Sequence, residues 1–592
     1  MIVSSIEDLQ EMLRWSDKDP ETVIDLETYG LDWVRDPITG VTIYFPNMEK
    51  GFYIPTGHQA GWRFGYDTLP EYLPKVIDNK IVKNHNLKFD KLFLQAEGAW
   101  GKPMEQRCTL MSLQIYNENE DNFQLKDTCD RYGLGRGSLE EQVLMEKVAK
   151  LGYRGKKGWK AYMRFLPPED VAPYAIDDCI LAHELDKFAM KGIVDQNLMH
   201  IFRKDMKFWD IICRAEFRGL HIDVDLCNER VIECTDNMES IQNKICSLLD
   251  VSTFNPNSSP QVCKALGVES SAKDKLEKMS HPIAKMVVEY REWAKARNSY
   301  YQKFVDLVDD NHYLHCTIWP DGTVTARLRV SNPPLQAMPR ANKVHREKDV
   351  FIAEPGRSLI FGDWNQMELR VASHYAKEYS MIKAFMDGVD VHSQTALLVH
   401  GEVTPETRNG VIGGKRCNFA IVYGTGAKGM SENTGLEINH CKHVLSKLHT
   451  AYPGFKALYS NAEFKARMVG YIQYYTGRRR RFPDKRQCYK AMNHLVQGTV
   501  AEMARDSMIR VDEEIINEYG EDNVYIPLQV HDELMLDVPD ELIREVTPKL
   551  KDIMEDWKYL GKEEMRVPIV ADMKVGHSWG RKVDYDKWLS SQ

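Results

Sequence analysis

No two cysteines in this chain are spaced CxxC, and the twelve present are scattered from Cys108 to Cys488. That pattern gives no support to a zinc site or a disulfide framework, so reduced thiols in a cytoplasmic compartment are the expectation. No apolar run approaches the ~18 residues needed to span a bilayer. The opening residues, MIVSSIEDLQEMLRW, carry acids where a signal peptide would have an apolar core. Fixed-period repeats, low-complexity tracts and Pro/Gly/Ser linkers are all lacking. So is an excess of basic charge: the net charge is −9, which argues against a uniformly positive surface but leaves room for a local basic groove. What is present is ordinary for a globular protein, 43% hydrophobic and 28% charged residues. With 592 residues, and ~100–200 usual per domain, more than one domain is expected.

The acids are less ordinary. In QVHDELMLDV (529–538) apolar residues alternate on both sides of His531-Asp532-Glu533, which predicts a hairpin with those three at its tip. Tips favour Gly, Asn or Pro, so two adjacent carboxylates there need a reason. RSLIFGDWNQMELRVASHYAKE reads as an apolar strand ending at Asp363, then a helix from about Gln366. Standing alone, Asp363 or Asn365 could equally be a helix cap. In IDLETYG, Asp25 and Glu27 share one strand face, and neighbouring like charges are unfavourable unless a cation joins them. NLKFD adds Asn86 and Asp90, and YAIDD puts Tyr174 and Asp178 on one helix face. A lone DxE is usually a solvated strand end; the three groups together are harder to dismiss.

Lys415, Phe419 and Tyr423 in KRCNFAIVYG fall at i, i+4 and i+8. This stripe suits a nucleotide cradle, although by itself it favours an amphipathic helix with its rings in the core. It is no P-loop: Arg416 follows the lysine and Asn409 stands where a Gly is required. Arg478 to Arg481 are consecutive, with Lys485, Arg486 and Lys490 behind. They read as phosphate contacts, with Arg480 and Arg481 open to a purely solvated role. GLGRG at 133–137 reads as a loop.

The DxE, Nx3D and Yx3D set resembles the DEDDy 3′–5′ proofreading exonucleases. DWNQMELR, KRCNFAIVYG and QVHDE resemble motifs A, B and C of family A DNA polymerases. The resemblance implies an α/β and α+β multidomain chain. An RNase-H-like exonuclease domain at 1–192 would precede a right-hand polymerase domain at 193–592, with thumb about 200–330, palm about 331–380 and 485–592, and fingers about 381–484. Asp25, Glu27, Asp90 and Asp178 would hold two divalent ions, with Tyr174 orienting the attacking water. Asp363 and Asp532 would share two Mg²⁺, for which Mn²⁺ can substitute, with Glu533 assisting.

Gln366, Glu368, His392, Arg408, Lys415, Phe419 and Tyr423 would contact the nucleotide, Glu368 blocking a ribose 2′-hydroxyl. TARLRVSNPPLQAMPR matches at Arg327 and Gln336, although Pro334 replaces the usual Asn. With Arg478, Arg479, Asn493, Gln497 and His531 these are the expected DNA contacts. The family's usual Arg four residues before Lys415 is Val411 here, and Arg408 is the nearest replacement, on a continuous helix or a loop. Primer-template DNA and dNTPs are the implied partners of a monomer, with a helicase or primase conceivable. The stretch before Asp25 leaves no room for a 5′-nuclease, so a bacteriophage replicative type is expected. A single-subunit RNA polymerase is opposed by Glu368 and the exonuclease motifs, and a non-catalytic DNA-binding module by the complete acid set.

Overall fold

Alternation in ETVIDLET turns Val23, Asp25 and Glu27 to one face of the strand Glu21–Thr28 and Thr22, Ile24 and Leu26 to the other. The computed structural model, which describes residues 1–592 apart from 62, 65, 136–138, 154, 156–157, 321 and 592, makes that strand the centre of a five-stranded sheet. The order is Lys50–Pro55, Ile38–Phe45, Glu21–Thr28, Ile81–Asn84, Glu105–Cys108. The first three are antiparallel and the last three parallel, so hairpins build one side and helical crossovers the other. This is the RNase-H-like order. Ile24, Val41, Ile43, Val82 and Phe93 are buried in its core.

The helix Pro168–Asp195 packs across the sheet and brings Tyr174 and Asp178 to the Asp25 face. It starts with Pro168 in the first turn, where a missing N–H costs nothing. Because it runs on to Asp195, the division expected at 192–193 falls inside it. Of the glycine-rich stretch 133–137, Gly133 has φ 69°, a turn conformation, while Arg136 and Gly137 lie outside the described residues.

The second sheet is assembled from distant segments. Its antiparallel order is Tyr525–Val530, Glu533–Pro539, Arg357–Trp364, Ala571–Ser578, Arg581–Asp584. Arg357–Trp364 is central, with Leu359, Ile360 and Phe361 buried. The helix Ile543–Glu555 lies against it, and its Met554 side chain fills the space beside Gly362, where a Cβ would sit 2.2 Å from the Met554 Sδ. The hairpin register slips between Tyr525 and Leu528, where Pro527 has no N–H to offer the ladder. Helices Val224–Leu249 and Pro282–Lys295 pack together ahead of this sheet. From Tyr379 to Val469 the elements are all helical. The helix Ala491–Val511 then leads back to the sheet. Among the described residues no helix is long and apolar enough to cross a membrane.

Candidate active sites

In the palm sheet Asp363 stands opposite Glu533 on one side and Asp572 on the other, and directly opposed residues share a face. The hairpin reverses within His531 and Asp532. His531 takes φ 54°, a left-handed conformation in which His is enriched. Glu533, expected at the tip, instead opens the return strand. The Asp532 carbonyl accepts a hydrogen bond from Trp364 N–H at 3.0 Å, which pins the turn to the end of the Asp363 strand. Burial, then Glu368 and Asp363, with relief from Arg327, push the Asp532 carboxyl up to about 6. Burial and Glu533 likewise raise Asp363. A divalent cation would relieve that strain. The donors are hard carboxylate oxygens, so the residues present fit Mg²⁺.

Glu533 is differently placed. Trp579 Nε1 donates to its Oε1 at 2.8 Å, and the Lys582 ammonium pairs with its Oε2. Both oxygens are engaged by protein, so the expected assistance to the ions is corrected to a neighbour's role.

Glu368 is in the first turn of the helix Met367–Ala376. Arg327 pairs with one of its oxygens, and the Tyr423 hydroxyl donates to the other at 2.6 Å. Gln366, at φ 53°, precedes the helix, its Oε1 buried without a hydrogen-bond partner. A cleft of about 190 Å³ is lined by Arg327, Gln336, Gln529, His531 and Asp532. Within it His531 Nε2 lies 3.1 Å from the Gln336 carbonyl oxygen. Asn493 and Gln497 are half-buried on the helix Ala491–Val511.

Lys415 and Phe419 lie on the helix Gly414–Val422. Tyr423 follows its last residue, with its ring stacked 5.8 Å from Phe419, and Lys415 is exposed. His392, on the helix Val391–His400, has its ring 6.3 Å from Phe419 and its Nδ1 3.0 Å from Asn418 Nδ2. The two helices meet because residue 414 is glycine: a Cβ would fall 1.9 Å from the His392 carbonyl oxygen. Burial, opposed by Asp390 and aided by Arg408 and Lys415, holds the His392 imidazole down at about 4.

Of the two geometries expected for Arg408 the continuous helix is not found, and the break is found without the loop. Arg408 lies in a short helix, Pro405–Asn409, and the chain breaks before the next helix starts at Gly414. Its guanidinium binds Asp390 through two hydrogen bonds of 2.6 and 3.1 Å. Asp390 in turn caps the His392 helix by accepting from the N–H groups of His392 and Ser393. Burial alone would raise the Asp390 carboxyl, but Arg408 and Ser393 hold it well below the usual range.

In the N-terminal domain one carboxylate oxygen each from Asp25, Glu27 and Asp178 lie within 4.8 Å of one another. Burial and mutual repulsion raise Asp25 and Glu27, so these oxygens also fit a divalent cation. Asp90 is tied down instead. It accepts from Leu26 N–H at 3.1 Å and from Asn84 Nδ2 at 2.9 Å, and Asn84 also donates to Asp25 at 3.0 Å. Asn84 thus joins Asp90 to Asp25, while Asn86 of the Nx3D pattern sits at φ 57° before the helix Leu87–Ala96 and makes no side-chain cap.

Two lysines complete this cluster. Lys126 Nζ is 3.0 Å from Asp178, 2.9 Å from Glu141 and 3.9 Å from the Tyr174 ring centroid. Lys160 Nζ is 5.4 Å from the same ring. Burial, then Asp178, push the Tyr174 phenol upward. Nothing local in the sequence marked Asn84, Lys126, Lys160, Trp579 or Lys582, since each acts on a residue remote in the chain or set by strand pairing.

The arginines of the run are held by protein groups. Arg478 is 8% exposed, gripped by Asp205 and by Glu502, which accepts its Nε–H at 2.6 Å. Arg479 donates to Gln196 Oε1 and to the Gln196 carbonyl at 3.3 and 3.1 Å. Arg480 and Arg481 both pair with Glu118. Arg478 thus sits in a buried ion network rather than on an open face, and Arg479 is half-buried. The sequence shows the charges but not the acids and amides, 196 to 205 and 118 among them, that the fold brings against them.

An acid-lined N-terminal α/β domain, followed by a sheet whose acids converge at strand ends between helical segments, defines a right-hand polymerase domain preceded by a second domain. The chain belongs to DNA polymerase family A, whose sequence model matches residues 224–581. It is similar to DNA polymerase I of Chloroflexus aurantiacus, 25% identical over 614 residues that cover 97% of this chain and 62% of the relative. It is also similar to DNA polymerase DpoZ of Salmonella phage PMBT28, 25% identical and covering 93% of this chain and 95% of that one. It spans about three fifths of the bacterial polymerases it matches. A solved structure, the POL domain of Pol1 from M. smegmatis in complex with DNA primer-template and dNTP, shares its fold with TM-score 0.78 at 19% identity. That likeness covers 98% of this chain and 99% of the other.

Proposed function

We propose that this protein is a template-directed DNA polymerase that adds deoxynucleotides to a primer 3′ end by two-metal-ion phosphoryl transfer and proofreads with a separate 3′–5′ exonuclease. The observation that carries the reading is the meeting of Asp363 and Asp532, remote in sequence, beside an anchored Glu368. The exonuclease reading rests on the converging oxygens of half-buried Asp25 and of buried Glu27 and Asp178 beside Tyr174. The two-domain order is kept, but the boundary expected at 192–193 is moved to the end of the helix at Asp195. Primer-template DNA and dNTPs are the partners, as in the solved relative. A bacteriophage genome-replication role in a host cytoplasm is supported by coverage of nearly the whole phage relative.

Asp363 and Asp532 would hold two Mg²⁺ ions in the palm, and Asp25, Glu27 and Asp178, with Asp90 fixed behind them, would hold the pair in the N-terminal domain. When bound, such ions lower the pKa of the attacking hydroxyl or water and stabilise the leaving oxygen. The chain's own groups do the rest. Lys415 offers charge to the triphosphate, and Phe419 and Tyr423 offer ring faces to the base. His392, neutral at pH 7, can donate a hydrogen bond without adding charge. Arg327 and Tyr423 hold Glu368 where a ribose 2′-hydroxyl would intrude.

A primer-extension assay tests the whole reading: extension with dNTPs, little with NTPs, and 3′ shortening when both are omitted. A protein that extended equally well with NTPs would be an RNA polymerase instead.

Glu368→Ala is expected to reduce discrimination against NTPs by roughly 10- to 100-fold. Glu368→Gln, which keeps the bulk, should retain most of it. The ratio of kcat/KM for dNTP and NTP is the measurement, and equal ratios for Ala and wild type would remove the steric role. Arg408→Ala should raise KM for dNTP about tenfold or more, since a charged hydrogen bond is worth roughly 1.5–3 kcal/mol. Primer-template affinity in a gel shift without dNTP should hardly move. Asp390→Asn separates the two jobs: it frees Arg408 for phosphate, so a KM rise of equal size in both variants would mean that Arg408 serves only the helix cap.

A further inference from the structure

The return strand of the hairpin carries an acid that the proposed chemistry leaves unused. Glu533 faces Asp363 directly across the ladder, yet Trp579 and Lys582 take both its oxygens. Both partners come from the last hairpin of the palm sheet: Trp579 lies in its turn, and Lys582 on the edge strand Arg581–Asp584. Trp579 is 1% exposed and its ring lies edge-on to Phe351 at 5.5 Å, so its indole N–H has one fixed direction. The Lys582 ammonium is 3.9 Å from the centroid of Phe361, on the Asp363 strand. It is thus held from below by a ring of the strand whose end carries the acid.

We infer that Trp579 and Lys582 are positioning residues of the polymerase site: they lock Glu533 in line with Asp363 and cancel its charge, so that Glu533 shapes the ion site without ligating an ion. This rests on the polymerase reading above. The physical argument is one of charge and geometry. Glu533, Asp363 and Asp572 stand in one row across three strands, with Asp532 at the turn beside them. Like charges so placed repel. Lys582 supplies compensation at one end of the row, and the indole fixes the remaining oxygen. Without them Glu533 can rotate toward Asp363 and become an extra, misplaced ligand.

The test uses the full chain with Lys582→Met, Lys582→Arg and Trp579→Phe. Mn²⁺ binding to the enzyme–primer-template complex is titrated by electron paramagnetic resonance without dNTP, in an Asp25→Ala, Glu27→Ala background that removes the proposed exonuclease ion site and spares the primer, and Mg²⁺ dependence and kcat are measured by primer extension. For Lys582→Met the expected result is opposed changes. Mn²⁺ binds several-fold more tightly, because a cation has left the neighbourhood of the site. Meanwhile kcat falls on the order of 10- to 100-fold, the scale of a small misplacement of reacting groups. Primer-template affinity stays within a factor of about two. Lys582→Arg keeps the charge and restores both values, and Trp579→Phe lowers kcat without tightening Mn²⁺.

General damage to the palm would weaken ion binding and turnover together, so weaker Mn²⁺ binding in Lys582→Met overturns the proposal. So does a folded Lys582→Met protein with wild-type kcat and Mg²⁺ dependence. If wild type failed to extend a primer at all, the polymerase reading would fail instead, while the Mn²⁺ comparison would still report on Lys582.

Discussion

Asp363→Asn or Asp532→Asn is expected to lower primer extension on the order of 10²–10³-fold or more, while 3′ shortening in the absence of dNTPs continues. The magnitude follows from what is removed: a ligand charge that stabilises developing charge in a water-poor site, where one electrostatic partner is commonly worth that much. The substitution is nearly isosteric, and the Asp532 backbone carbonyl that anchors the turn to Trp364 remains. The fold should therefore persist, as a thermal melt can verify. The reciprocal change, Asp25→Ala with Glu27→Ala, removes two of the three carboxylates that converge in the N-terminal domain. It should abolish shortening and spare extension. Rates of both reactions on one labelled primer are the measurement. Loss of both activities in a variant that melts like wild type would contradict two independent sites.

Arg478→Ala is expected to cost about 3–5 kcal/mol of stability, the usual result of removing one partner from a buried ion network. Asp205 and Glu502, each 0% exposed, would be left with the charge that Arg478 now meets. Arg505 and Lys204 would remain as partial partners. A urea midpoint shift measures the loss. The same variant decides between the two readings of the arginine run. A phosphate contact would lower the salt dependence of DNA binding by about one unit of slope and leave stability alone. The buried network predicts the reverse, an unchanged slope in the folded fraction and a large drop in stability. A stable Arg478→Ala protein with a reduced slope would return Arg478 to the DNA.

The acids were legible because their partners are near in sequence or fixed by a simple period. Asp25 and Glu27 share a strand face, and Tyr174 and Asp178 share a helix face, whatever the rest of the chain does. The hairpin was legible from alternation, although not its tip. Only the register of the folded sheet shows that Glu533 belongs to a strand and looks across at Asp363. Arg478 was misjudged because a run of like charges carries no information about burial. What covers it comes from Asp205 and Glu502, on two separate helices. Gly414 illustrates the same limit from the other side. It opens the Lys415 helix, but its size is dictated by the His392 carbonyl of a different helix.

The clasp that Arg480 and Arg481 form on Glu118 joins the end of the segment expected as fingers to the N-terminal domain, with no Pro/Gly/Ser-rich linker between the two parts of the chain to act as a hinge. In the proposed enzyme, a mispaired primer end would then have to do the travelling itself. The last base pairs would melt, and the freed strand would cross a gap whose width the protein does not adjust. The choice between adding the next nucleotide and removing the last would be timed by the fraying of the duplex, and a weakly paired end would be edited more often than a strong one for reasons that lie in the DNA.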